Sequence, residues 1–227
     1  MARISLSTYR RQWPRIGAVA AMVVAAGTAL AGGRLSRRQR LAALNLSALM
    51  VHQYEEYHAP GYFPGQLNRG LFGSDSPRNY PLNTNSAMWI NTAIAYPMYM
   101  APVLIPDRKW LGLGPTQFGI GQVVLHGMVF PRLGRREGSV YTYSPGLLAA
   151  LLLHLPIGVA YIQALREDGM VEGDWIKGIA YAMAITPLGI WLPILMLKDR
   201  DSPHAFTVAR MGPYRVPAST EGRVGMG

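Results

Sequence analysis

The chain has 227 residues, of which 50% are hydrophobic and 15% charged, well below the roughly 25% charged residues of soluble domains. It has no cysteine, which excludes disulfides, thiolate zinc sites and cysteine nucleophiles. The formal net charge is +10, but the basic residues sit at the ends of apolar stretches, without a basic helix face or an aromatic RNA-binding motif. The charge therefore reads as contact with anionic lipid headgroups, with no nucleic acid as partner.

The mean hydropathy is only +0.12, yet the charges are spaced as membrane helices require. Residues 16–33, 79–106, 110–131, 138–165 and 178–197 contain no Asp, Glu, Lys or Arg. A membrane helix needs about 20 mostly apolar residues, whereas a soluble helix needs a polar face. Residues 1–15 are polar and basic and lead into a first span over 16–33. The same run, with Ala29-Leu30-Ala31 as a cleavage box, also fits a signal peptide. A second, shorter span is predicted over 41–57. The connection 58–85 is rich in Gly, Pro, Asn and Ser. It reads as an irregular surface loop, and its length suggests that it folds over something. Spans three to six follow near 86–105, 115–130, 145–165 and 176–197. Pro97, Pro102, Pro156, Pro187 and Pro193 interrupt these spans and point to a cavity, because neighbouring helices can satisfy the carbonyls a proline frees.

The predicted fold is thus all-α: a polytopic membrane helical bundle of about six transmembrane helices. Residues 1–40 form a basic N-terminus with the first span, 41–200 the bundle, and 201–227 a flexible C-terminal tail. With both termini cytoplasmic, 14 of the 22 Lys and Arg fall on the inside, as orientation by positive charge requires. The cluster Arg34, Arg37, Arg38 and Arg40 runs against that bias. The location expected is a bacterial-type inner or plasma membrane.

The residues that could carry chemistry cluster on the second span. A helical residue turns about 100°, so His52, Glu55 and Glu56 share one face, with Asn45 seven residues earlier. Ionisable groups inside a span are costly and tend to face the bundle interior. Asn91, Gln122, His126 and His154 lie within other spans and can converge on this stripe. Three readings follow. In the first, His52, one of Glu55 or Glu56, and His126 bind a divalent metal, zinc or iron, with the other Glu as general base; the set preferred is His52, Glu56 and His126 as ligands, with Glu55, Glu56 and Asn91 as catalytic groups. In the second, the same groups form a proton relay or the polar lining of a carrier. In the third, they are structural, with His52 paired to Glu56 where the span ends. The leading expectation is a metal- or Glu-dependent intramembrane enzyme acting on a lipid or other apolar small-molecule substrate. The alternative is a non-enzymatic carrier or an accessory subunit of a larger membrane complex. Membrane lipids are partners in every case.

The run His52-Gln53-Tyr54-Glu55-Glu56, followed by Pro60-Gly61-Tyr62-Phe63-Pro64 and Asn68-Arg69, resembles the HXXEE family of integral membrane proteins. The likeness extends through Asn91 and His126 to Tyr143-Ser144-Pro145-Gly146 and Leu155-Pro156-Ile157-Gly158, about residues 41–165. It implies a membrane bundle and no particular reaction. Inverted zinc peptidases carry H-x-x-E-H, but Glu56 stands where their second histidine would be. Membrane prenyl-proteases follow a Glu pair with Arg four residues later, where this chain has Pro60.

Overall fold

The computed structural model describes residues 5–133 and 142–215; Arg135 and Arg136, basic residues between the fourth and fifth predicted spans, lie outside them, as does the tail beyond 215. Seven helical elements and a closing 3₁₀ segment are described, with no strand among these residues. Helix α1 (Leu6–Ala31) starts earlier than the apolar run because Ser5 Oγ accepts from the Thr8 amide. Helix α2 (Arg37–Tyr57) opens with a reciprocal cap in which Ser36 Oγ accepts from Gln39 N and Gln39 Oε1 accepts from Ser36 N, satisfying two otherwise orphaned donors. A short helix, α3 (63–71), lies inside the connection that reads as a loop. Helices α4 (84–104), α5 (109–133), α6 (Leu147–Glu167) and α7 (Glu172–Leu197) follow. The 3₁₀ segment Val208–Tyr214 closes the described chain.

Helix α2 runs through the middle, in contact with α1, α4, α5 and α6. Among the described residues three segments are long and apolar enough to cross a membrane: Leu6–Arg34, Leu147–Glu167 and Glu172–Leu197. The expectation of about six is therefore corrected to three. The reason lies in packing. Helix α2 is mostly buried among its neighbours, and α4 and α5 dilute their apolar residues with the polar side chains of the site, Asn91, Gln122 and His126, so none of the three is apolar enough along its length. Helices α1 and α7 instead turn Met22, Val23 and Leu30, and Met183, Leu195 and Met196, outward.

The bundle has two distinct ends. At one, Arg37 pairs with Glu167 and Arg38 with Asp168, while Arg38 Nη1 donates to the Pro106 carbonyl at 2.7 Å. The other end is closed by a cap built from the connection and the C-terminal segment. Asn68 organises the connection: its amide donates to the Pro77 and Leu82 carbonyls, each at 2.7 Å, and accepts from Leu82 N at 3.0 Å. Phe63, Leu67, Leu82, Phe206 and Met211 bury against Trp13 and Tyr57 in one apolar cluster. Where the composition of the tail suggests loose order, residues 203–214 are tied down instead, because Phe206, Met211 and Tyr214 find this cluster to bury in.

Four long helices each contain one turn widened to π-type bonding: Trp89–Ile94 in α4, Leu125–Val129 in α5, Ala150–His154 in α6 and Ile185–Trp191 in α7. A proline follows each at Pro97, Pro131, Pro156 and Pro193. A helical proline clashes with the carbonyl four residues before it and removes one hydrogen bond. Those carbonyls belong to Ala93, Gly127, Leu152 and Gly189, all within the widened turns, which absorb the clash. Three of the turns also carry polar residues of the site: Asn91, His126 and His154.

Candidate metal centre

The last two turns of α2 face the capped end of the bundle and present His52 and Glu56 toward α5. His52 Nε2 lies 3.5 Å and His126 Nε2 3.4 Å from Glu56 Oε1. One ligand atom from each of the three residues falls within 4.8 Å of the other two, and all three side chains are buried. The structure thus brings together the three residues expected to hold a metal.

The tautomer of His126 follows from a chain of hydrogen bonds. Ser144 Oγ donates to Gln66 Oε1 at 2.7 Å, so its oxygen is left to accept from His126 Nδ1 at 2.8 Å. The proton of His126 is then on Nδ1, and Nε2 carries a bare lone pair. That atom is buried without a hydrogen-bond partner; its 3.4 Å approach to Glu56 lacks hydrogen-bond geometry. Two acceptors face each other, and burying such groups unpaired is costly. A cation between them resolves the conflict. The Ser144–His126 contact is the outer-sphere support that metal-bound imidazoles usually have. The donor set, two imidazoles and one carboxylate with room for water, suits zinc or iron.

Gly146 makes the cluster possible. Its φ of +112° is disfavoured for residues with a side chain, and a Cβ there would sit 2.7 Å from His126 Cε1 and 2.8 Å from His52 Cε1. Gly119 has a similar spatial role, since a Cβ would fall 2.6 Å from His154 Nδ1. A Cβ at Gly121, two residues on, meets nothing within 4 Å.

The other expected residues have different surroundings. Glu55 points away from the metal cluster, toward the start of α6. It accepts from Leu148 N at 3.3 Å and Ala149 N at 2.9 Å, and from the Tyr143 hydroxyl. A carboxylate at a helix N-terminus is stabilised by the exposed amides and the helix dipole. Burial, reinforced by the bond to Glu55, raises the Tyr143 phenol well above its ordinary pKa, so it stays a donor. Asn91 lies on a cavity wall, where its Oδ1 accepts from Gln53 Nε2 at 3.1 Å and its Nδ2 donates to Ala87 O at 2.8 Å. His154, noted in the sequence only as a polar residue within a span, reaches the same centre. Its Nδ1 donates to Asn45 Oδ1 at 2.9 Å, and its ring lies edge-on to His52 with centroids 5.5 Å apart.

His52, Glu56, His126 and His154 line one side of a cavity of about 280 Å³. The rest of the lining is almost wholly apolar, with Met98, Phe118, Leu125 and Ile190 among the residues from α4, α5 and α7. Phe63 of the cap packs against His126, with centroids 5.4 Å apart, and closes the near side. The arrangement places potential metal ligands at the wall of an apolar chamber.

The chain belongs to the HXXEE family, described as proteins of unknown function with an HXXEE motif, whose profile matches residues 43–161. His52, Glu55 and Glu56 are the residues that give that motif its name. No curated protein and no solved structure is matched by the chain.

Proposed function

We propose that this chain is an integral membrane protein that binds a divalent cation, zinc or iron, through His52, Glu56 and His126, and acts as a metal-dependent enzyme on an apolar or lipid substrate. The observation that carries the reading is the buried, partnerless Nε2 of His126 facing Glu56 Oε1 at 3.4 Å, with His52 on the same oxygen. A metal held by three protein ligands keeps a position for water or substrate and lowers the pKa of bound water toward 7. In this arrangement Ser144 and Gln66 orient His126. Glu55 serves as a positioning residue that fixes α6 and hence His154. His154, held through Nδ1 by Asn45, adds a third imidazole to the cavity lining, while Glu55 is engaged elsewhere. The chamber supports an apolar substrate, since most of its lining has no hydrogen bond to offer.

The test is metal content by mass spectrometry on detergent-purified protein, for wild type, Glu56→Ala and His126→Ala. Near-stoichiometric zinc or iron in wild type, lost in both variants, is expected. A metal-free wild type, beside variants that fold equally well, refutes the metal reading and leaves a structural or proton-relay network.

A further inference from the structure

A second cavity, of about 340 Å³, opens at the capped end. Its lining includes Arg10, Arg11, Arg15, Arg210, His58 and His204, and contains no Asp or Glu. None of the four arginines forms an ion pair among the described residues. Two of them, Arg15 and Arg210, crowd one imidazole. Arg15 Nε donates to His58 Nε2 at 3.0 Å, while Arg210 Nη2 lies 3.0 Å from His58 Nδ1 and Nη1 donates to the His58 carbonyl at 2.5 Å. A neutral imidazole has one accepting nitrogen, so one of the two ring contacts sets donor against donor. Burial, and then Arg15 and Arg210, hold the His58 pKa below its ordinary value, so the ring adds no neutralising partner. Guanidinium groups without a carboxylate partner in a half-enclosed pocket are the arrangement that recognises phosphate, for which arginine supplies a planar fork of N–H groups.

The pocket has a neighbour that narrows the ligand. Tyr57 lines both this cavity and the apolar chamber of the metal centre, and is the residue common to the two. A basic pocket at the end of the bundle thus shares a wall residue with the apolar chamber inside it. We propose that the Arg10, Arg11, Arg15 and Arg210 pocket binds the phosphate of a membrane amphiphile, whose apolar portion passes Tyr57 toward the chamber. This deepens the reading above by naming the substrate class, and rests on it for the chemistry alone; binding of the phosphate needs no metal.

The experiment is calorimetric titration of the full chain in a neutral detergent. The probes are dihexanoyl phosphatidic acid, dihexanoylglycerol and inorganic phosphate, each against wild type, Arg11→Gln, Arg15→Gln and Glu56→Ala. Arg11 and Arg15 are exposed, so their variants keep the fold, and melting curves check this. Expected is saturable binding of the phosphatidic acid, tighter than phosphate, absent for the glycerol, and weakened about tenfold by each Arg→Gln change, as loss of one charge-assisted hydrogen bond implies. Glu56→Ala retains this binding even as metal is lost, so the pocket and the metal centre stand or fall separately. Phosphate binding as tightly as the phosphatidic acid overturns the amphiphile, because the apolar portion then contributes nothing. Affinity unchanged by both arginine variants overturns the site.

Discussion

Replacing Gly146 with alanine tests the whole arrangement around the candidate metal centre with one methyl group. The residue sits at a φ of +112°, where a side chain costs on the order of 1–3 kcal/mol. The added Cβ lies 2.7 Å from His126 Cε1, 2.8 Å from His52 Cε1 and 2.9 Å from His126 Nδ1. Neither ring can retreat freely. His126 is held by Ser144 and packed against Phe63, and His52 is wedged between His126 and His154. Overpacking of this kind adds about 1–3 kcal/mol, so the expected loss is roughly 2–6 kcal/mol. Denaturation in mixed micelles, followed by circular dichroism, measures it, with metal content read on the same samples. Gly121→Ala is the control, since a Cβ there meets nothing within 4 Å; it should be neutral or gain about 0.5–1 kcal/mol from helix propensity. If Gly146→Ala matches Gly121→Ala in both stability and metal, the histidines are not locked as described.

Three further changes separate structural from metal-binding roles. Glu55→Ala orphans the Leu148 and Ala149 amides and the Tyr143 hydroxyl, and should cost about 2–4 kcal/mol while the folded fraction keeps its metal; a loss of metal at full stability would instead make Glu55 a ligand. Ser144→Ala removes the acceptor for His126 Nδ1–H, and should weaken metal affinity about 10–100-fold for a stability loss near 1 kcal/mol, measured by competition with a chelating dye; unchanged affinity sinks the tautomer argument. Phe63→Ala opens the cap over His126 and should cost about 3–5 kcal/mol, read from the same denaturation curves; a negligible loss would mean that the cap does not close the site.

The helices were legible because charge spacing is a one-dimensional property. The charge-free run 138–165 corresponds to α6, and 178–197 to the greater part of α7. How many helices lipid surrounds is a three-dimensional property, since α2 hides its polar residues by lying among four neighbours. For the site, helical periodicity placed His52 and Glu56 on one face, and the polar residues of other spans pointed to His126. Periodicity also put Glu55 on that face. It could not show that the start of α6 lies within reach, where bare amides draw the carboxylate away. Nothing in the local pattern around Gln66 tied it to Ser144, because the pair is joined only when the connection folds back over the bundle. The widened turns did leave a trace: each lies just ahead of a proline, and Asn91, His126 and His154 stand in three of them.

Those widened turns bear on which changes of length the gene can tolerate. A π-type turn holds one residue more than an α-turn, so each behaves as an insertion already accommodated within its helix. Deleting one codon inside Leu125–Val129 would restore ordinary α-helical bonding and leave both flanks of α5 facing as they do now. The same deletion outside it would rotate all that follows by about 100° and turn outward-facing residues into the bundle. The first deletion would keep the facing of the flanks but return the Pro131 clash that the widened turn absorbs, and His126, which stands in that turn, would swing off Glu56. A single lost codon there would take apart the candidate metal centre, whereas one elsewhere in α5 would turn the rest of the helix.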